Sequence, residues 1–192
     1  MAGCGDSGGG SSGCMTLTSG AEGKDVANAL TVPQEKSMYA MDLNGDGKLD
    51  NQLGNIIGAL TAQNLDTQMG VNDSITAGGV VLLLDETASD LTNSTCGQVT
   101  VSVGVAAKDA MGKTIPPKFD GSDMFTINTA IGGGSFKGVI SNGFYNSNSP
   151  VSATDATEVV VNVQLPLVAG SDPITLKIHG GHIQFTRMAD NL

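Results

Sequence analysis

The sequence is organised around the stretch DLNGDGKLD, residues Asp42–Asp50. Oxygen-bearing side chains fall at its first, third, fifth and ninth positions, and the carbonyl group of Lys48 falls at the seventh. This is the spacing by which a tight loop wraps oxygen ligands around a hard divalent cation. Gly47, at the sixth position, lets the backbone reverse where a Cβ atom would clash. The stretch therefore predicts a cation site with these ligands: Asp42, Asn44, Asp46, the carbonyl group of Lys48, and Asp50.

The ligand set indicates which cation the loop binds. An EF-hand needs an acidic residue at the twelfth position, and Leu53 stands there, so Asp50 supplies the last carboxylate instead. All the donors are hard oxygens, which favours Ca²⁺ over zinc or copper, and Mg²⁺ rarely occupies an all-protein cage. Leu43 and Leu49 are expected to anchor the loop to a core. The alternative is a polar surface turn that binds no metal.

A single loop of this kind favours a structural ion over a signalling one. Three carboxylates that converge without a cation repel each other, so ion binding is expected to be coupled to folding of the neighbouring segment. We therefore predict a calcium ion that stabilises the fold. A calcium sensor remains the alternative.

Composition limits the class of protein. The chain has 192 residues, 40% of them hydrophobic, no Trp and a net charge of −10. A core of Val, Ile, Leu, Met and Ala is expected, while the negative charge disfavours nucleic acid as a partner. No run of about 18 apolar residues occurs that would span a membrane. One β-rich domain is predicted over residues 14–192, preceded by a flexible tether over residues 1–13.

The first residues bear on where the protein is located. Small residues precede Cys4, and a Gly/Ser run follows it to Gly13. This start resembles the end of a bacterial lipoprotein signal, although the charged and apolar parts of such a signal are missing. The resemblance implies that Cys4 is acylated and that the chain is attached through this lipid to the membrane of the bacterial envelope or cell surface. The alternative is an unmodified cysteine in a flexible tail.

Two cysteines remain if Cys4 carries a lipid. Secretion would place Cys14 and Cys96 in an oxidising compartment, where two remaining thiols often pair. We predict a Cys14–Cys96 disulfide, and the closed loop of about 80 residues would contribute roughly 4 kcal/mol in the chain-entropy model. A free, buried Cys96 is the alternative.

Helical periodicity follows the loop over residues 51–77. Apolar residues at 53, 56, 57 and 60 form the stripe of an amphipathic helix, which Asp50 is expected to cap. A second helix is predicted from Asp66 to Ala77, with Leu65, Met69 and Ile75 on its apolar face and Gly78-Gly79 at its end.

The pattern then changes to that of strands. Val80–Leu84 is a continuous apolar run, as expected of a strand buried on both faces. Strictly alternating residues follow at 99–105, with one face exposed to solvent. Further strands are predicted at 125–127, 135–140, 158–167, 174–178 and 182–186, the last two as a pair. The fold class is mainly β, an antiparallel sandwich or jelly-roll-like fold with two short helices after the calcium loop.

Residues 30–60 carry a family resemblance. The loop Asp42–Asp50 is similar to the calcium loops of integrin-type propellers and thrombospondin-like repeats, and somewhat to those of dockerin repeats. The lipoprotein-like start, Leu30-Thr31-Val32-Pro33, the Asp-rich loop and the Leu/Gly helix together resemble a family of bacterial envelope lipoproteins. The resemblance implies envelope anchoring and calcium, and it implies no activity.

Other candidate chemistry is weak. His179 and His182 suggest a zinc site, but residues three apart in a strand face opposite sides, and turn-flanking histidines are the simpler interpretation. The run Gly132–Ser135 lacks the following Lys-Ser/Thr of a phosphate loop, so a hairpin loop is preferred. Asp109, Asp120 and Asp123 are interpreted as polar loop residues; one of them in a second cation site is the alternative.

These observations lead to three functional hypotheses. The first is a lipid-anchored, calcium-stabilised structural or binding module, active in adhesion, glycan binding, protein binding or surface assembly. The second is an envelope hydrolase, against which the missing Gly-x-Ser-x-Gly motif argues. The third is a calcium-sensing protein.

Overall fold

Two short helices follow the acidic loop, as the periodicity predicts. The computed structural model describes residues 20–40, 46–147, 160–166, 172–179 and 181–187. Helix α1 spans Gln52–Thr61 and helix α2 spans Thr67–Thr76. The Asp66 carboxylate caps α2 by accepting from the Met69 N–H at 2.9 Å. Its cap and its bounds confirm the second predicted helix.

The cap of α1 differs from the prediction by one residue. The Asn51 Oδ1 atom, and not Asp50, accepts from the Gly54 N–H at 2.8 Å. The Asn51 Nδ2 atom also donates to the carbonyl oxygen of Met38 at 2.6 Å. The prediction that Asp50 caps α1 was wrong, because the helix begins one residue later than expected. At that position the Asn51 side-chain amide bonds both the first turn of the helix and the chain that precedes the loop.

The remaining elements are β-strands, so the mainly-β prediction with two short helices is confirmed. Nine strands lie in the described part of the chain: β1 Ala21–Val26, β2 Leu82–Ala88, β3 Ser94–Val105, β4 Thr126–Ile127, β5 Gly133–Ser141, β6 Phe144–Ser147, β7 Val160–Leu165, β8 Ile174–His179 and β9 Gln184–Thr186. One antiparallel sheet has the order β1-β2-β3-β5-β6-β9, with β4 added to β3, and β7 pairs with β8 in a second sheet.

Two clusters of buried side chains cover one face of the large sheet. The first joins the helices to the ends of β2 and β3 and to β7, through Ile57, Val71, Leu82, Val103 and Leu165. The second fills the opposite end of the sheet, between β2, β3, β5 and β6, and the partly buried Ile178 and Phe185 pack against it. The two clusters show how β7, β8 and β9 are held against the large sheet.

The segment before the acidic loop is held by side chains and not by a strand. Gln68 of α2 donates to the Leu30 carbonyl oxygen at 2.7 Å and accepts from the Val32 N–H at 3.0 Å. Asn72, one turn later, accepts from the Leu30 N–H at 3.3 Å. These bonds satisfy backbone groups that a β-ladder would otherwise use, so the extended piece lies against α2.

Three predictions about individual elements need correction. The run Val80–Leu84 is largely buried, but the strand starts at Leu82 and alternates between faces as far as Ala88, so it is not buried on both faces. The last two predicted strands do not pair with each other, because β8 pairs with β7 and β9 pairs with β6. Met69 is 52% exposed, and Val71 takes the expected place in the core.

The glycine run before β5 also differs from the expected hairpin loop. Gly132 has a φ of +79°, and Gly133 already belongs to β5. A Cβ atom on Gly133 would lie 2.3 Å from the Val101 carbonyl oxygen of the neighbouring strand. Glycine is therefore required here for close strand pairing.

Candidate functional site

The second half of the acidic loop forms a tight turn. Gly47 has a φ of +79°, and nothing lies close to its missing Cβ atom, so the backbone angle alone favours glycine there. The Asp46 Oδ1 atom accepts from the Lys48 N–H at 2.8 Å, and Asp46 Oδ2 lies 3.9 Å from Lys48 Nζ. This turn is compatible with the predicted loop, in which Asp46 and the Lys48 carbonyl group act as ligands.

The remaining ligands are only partly described. Asp50 is half-buried next to the cap of α1, while Asp42 and Asn44 lie outside the described residues. Within the described ranges, no three His, Cys, Asp or Glu side chains converge in a way that could hold a metal ion. The calcium site stays a prediction that depends on residues 42–45.

Leu49 does not anchor the loop. Its side chain is 57% exposed, which contradicts the expected burial. It lines an open groove together with Glu35, Lys36, Ser37 and Lys48. Leu43, the other expected anchor, lies outside the described residues.

The two histidines lie in different surroundings. His179 ends β8 and is exposed, whereas His182 is half-buried beside β6. The Ser147 Oγ atom lies 2.8 Å from His182 Nδ1 and accepts from the Ile183 N–H at 3.0 Å. Burial lowers the pKa of His182. The neutral imidazole and the serine therefore hold β6 and β9 together.

The Ser147–His182 pair lacks the arrangement of a hydrolase site. Ser147 is only 4% exposed. His182 Nε2 is buried and has no hydrogen-bond partner, so the pair has no carboxylate to orient the imidazole within the described ranges. This geometry favours a packing role.

The three loop aspartates shape their own turns. Asp109 accepts from the Met111 and Lys113 N–H groups, both at 2.9 Å, and Asp123 accepts from the Lys118 and Phe119 N–H groups. Hydrogen bonds from Ser122 lower the pKa of Asp120. These carboxylates replace missing backbone partners, as expected of polar loop residues.

Sequence reasoning missed a group of three charged residues, one buried and two partly buried, between the two edges of the large sheet. Arg187, directly after β9, places its Nη2 atom 3.1 Å from Asp25 Oδ2 of β1. We call this contact the closing ion pair. The two side chains are 22% and 23% exposed. It bridges strands that share no backbone pairing in the described part of the chain.

Glu86 lies beneath the closing ion pair. It is 1% exposed, and its Oε2 atom has no hydrogen-bond partner. Gly23 is its register partner in β1, and a Cβ atom on Gly23 would lie 2.3 Å from Arg187 Nη2. Residues directly opposite in antiparallel strands share a face, so the guanidinium lies over Gly23 and beside the Glu86 side chain.

Burial and the neighbouring charges shift the pKa of Glu86. Burial raises the pKa of Glu86, Arg187 opposes that rise, and Asp25 adds to it. Burial and the neighbouring Glu86 raise the pKa of Tyr145, whose Oη atom donates to the Phe136 carbonyl oxygen at 3.1 Å. The Tyr145 ring stacks on Phe185 of β9, with the ring centroids 5.1 Å apart. Polar and aromatic contacts thus converge on β9.

One sequence signal for this group was present. In the alternating strand β2, Glu86 takes a position among the inward-facing Leu84 and Ala88, where an unpaired carboxylate is costly. Its partners could not be identified from spacing, because Asp25 and Arg187 are 162 positions apart in the chain.

No described helix has the length and apolar character needed to cross a membrane. Comparisons with protein-family models, with curated proteins and with solved structures found no match to this chain.

Proposed function

We propose that this protein is a calcium-stabilised, lipid-anchored structural or binding module of the bacterial cell envelope or surface. The observation that carries the proposal is the acidic loop directly before α1. Its ligands are Asp42, Asn44, Asp46, the carbonyl group of Lys48 and Asp50, and Ca²⁺ is the ion that suits such oxygen donors. Adhesion, glycan binding, protein binding and assembly at the surface are the activities that fit such a module.

The position of the loop supports a structural role for the ion. Asp50 adjoins Asn51, which caps α1 and bonds the preceding chain at Met38. Helix α1 in turn contributes the fully buried Ile57 to the first core cluster. An ion that fixes the loop would therefore fix the start of α1 against the sheet.

Removing calcium is expected to lower the melting temperature without changing the native far-UV circular dichroism. At calcium about a hundredfold above its dissociation constant, a ligand specific for the native state stabilises by about 2.7 kcal/mol. For a chain of this size that is a shift of roughly 5–10 °C. Calorimetry with calcium or with chelator measures the shift.

Two variants control this experiment. Asp46→Asn keeps an oxygen for the Lys48 N–H but removes one carboxylate, so the calcium-dependent shift should mostly disappear. Asp120→Asn makes the same change in another exposed turn, where Asp120 accepts from the Ser122 N–H, and should keep the shift. A wild-type melting curve that chelator leaves unchanged rules out calcium. A large spectral change before melting would favour a sensor.

Anchoring through Cys4 and pairing of Cys14 with Cys96 belong to the same proposal. Two points support the pairing: Cys96 is disulfide-bonded, and the three cysteines leave Cys4 and Cys14 as candidate partners. Mass spectrometry of protein from bacterial envelopes is expected to find an acylated Cys4 peptide and a cross-linked Cys14–Cys96 peptide. An unmodified Met1 in that material excludes the lipid, and a Cys4–Cys96 peptide excludes both assignments.

A further inference from the structure

The two edges of the large sheet approach each other through side chains. Strands β1 and β9 stand at opposite ends of the order β1-β2-β3-β5-β6-β9. The closing ion pair between Arg187 and Asp25 nevertheless joins them at 3.1 Å. The sheet is therefore curled, and a charge contact holds its last strand against its first.

The strand β9 is short and lies at one edge of the sheet, directly after the contacts of Ser147 with His182 and Ile183. It has three residues, and it pairs along one edge with β6. The Arg187 N–H donates to the Gly143 carbonyl oxygen at 3.1 Å, and Phe185 contributes the stacking contact with Tyr145. Because β9 has three residues and lies at the edge of the sheet, we expect it to open more readily than the central strands.

We propose that Glu86 is a proton-operated switch for this closure, which favours the closed β9 when it is protonated and its opening when it is ionised. A neutral Glu86 costs less to bury than an ionised one, and Arg187 is then left to Asp25 alone. An ionised Glu86 is a second negative charge beside one guanidinium, in a site where the residue is only 1% exposed to solvent. Opening β9 lets water reach that carboxylate and removes the cost.

The sign of the pH dependence follows from linkage. The pKa of Glu86 is raised in the closed state, so the closed state binds the proton more tightly than the open one. Closure is therefore fully favoured below the ordinary pKa and is lost as the pH rises through the raised value. Between those limits the opening equilibrium is expected to increase by about tenfold per pH unit, and to be flat outside them.

Within the described residues, Arg187 and Asp25 are the charged groups that shift the pKa of Glu86. Asp25 lies on β1 and Arg187 directly after β9, and Tyr145 of β6 keeps its proton over this range because its pKa is raised. The apolar Val99 is the register partner of Glu86 in β3. His182, near the start of β9, has a lowered pKa, so its protonation in acid acts in the opposite direction.

Native-state hydrogen exchange of the full-length, calcium-saturated protein tests the proposal. The reporter is the Arg187 amide, and the reference is the Val99 amide at the centre of the sheet. The measured exchange rate of each amide is divided by its intrinsic rate. In the wild-type protein, the opening equilibrium obtained from the Arg187 amide should increase with pH. The Glu86→Gln variant should lose this rise and show at least tenfold less opening than wild type at the high-pH end. Taking the difference between the two proteins removes the contribution of His182.

A neighbouring carboxylate provides the matched control. Asp85 lies next to Glu86 on β2 but is exposed on the other face, so Asp85→Asn should behave as wild type. A second readout for the opening of β9 is tyrosine fluorescence in a Tyr39→Phe background. This background leaves Tyr145, on β6, as the sole tyrosine. The proposal is overturned if Glu86→Gln keeps the wild-type pH dependence. It is equally overturned if the Arg187 and Val99 amides exchange only together, through global unfolding.

Discussion

Replacing Ile57 by alanine is expected to lower the free energy of unfolding by roughly 3–4 kcal/mol. Ile57 is the fully buried apolar residue of α1, and it lies in the first core cluster with Val71 and Leu82. Removing its outer carbons leaves a cavity between helix and sheet that the surroundings fill only partly. Urea denaturation followed by circular dichroism measures the change.

The preceding residue gives a nearly ideal control. Ile56 is the same side chain on the same helix, but it is 51% exposed. Ile56→Ala should change the stability by less than about 1 kcal/mol, because little apolar surface is lost from the core. If both variants lose equal stability, the helix does not pack against the sheet as described.

Replacing Arg187 by methionine is expected to cost about 3 kcal/mol near neutral pH. The change removes the closing ion pair and leaves Asp25 and Glu86 as two buried or half-buried carboxylates without a cation. The value is set at the low end of the usual range because both partners of the ion pair remain about one-fifth exposed to solvent. Thermal or urea unfolding measures the loss.

A double-mutant cycle shows where that loss comes from. In a Glu86→Gln background, Arg187→Met should cost about 1–2 kcal/mol less, since one of the two uncompensated charges is gone. Lys177→Met also replaces a long cationic side chain by methionine, but Lys177 is exposed on β8, so this change should have little effect. Equal losses from Arg187→Met in both backgrounds would mean that Glu86 and Arg187 do not interact.

Local patterns predicted the helices and most strands. Helix α1 was predicted from the apolar stripe at Leu53, Ile56 and Ile57, and the end of α2 from Gly78-Gly79. Both predictions were correct within a residue, because both signals depend on residues that are close in the chain. Strand β1 was missed because Ala21–Val26 contains Glu, Lys and Asp and does not look apolar. It forms because β2 offers a continuous antiparallel partner to it.

Pairing was less predictable than strand formation. The spacing of β8 and β9 suggests a hairpin, yet they belong to different sheets. Their apolar residues Ile178 and Phe185 pack against the same core cluster from both sheets. Alternation tells which side chains face inward, and it does not tell which strand lies alongside.

The sequence by itself determined the secondary structure class, the two helices and the conformation of Gly47 in the acidic loop, because each depends on residues a few positions apart. Only the tertiary structure decided that Asn51 caps α1, that Leu49 faces solvent and that Arg187 meets Asp25 over Glu86. These outcomes depend on which surfaces are brought together, and the desolvation of a charge such as Glu86 is fixed only when distant strands enclose it.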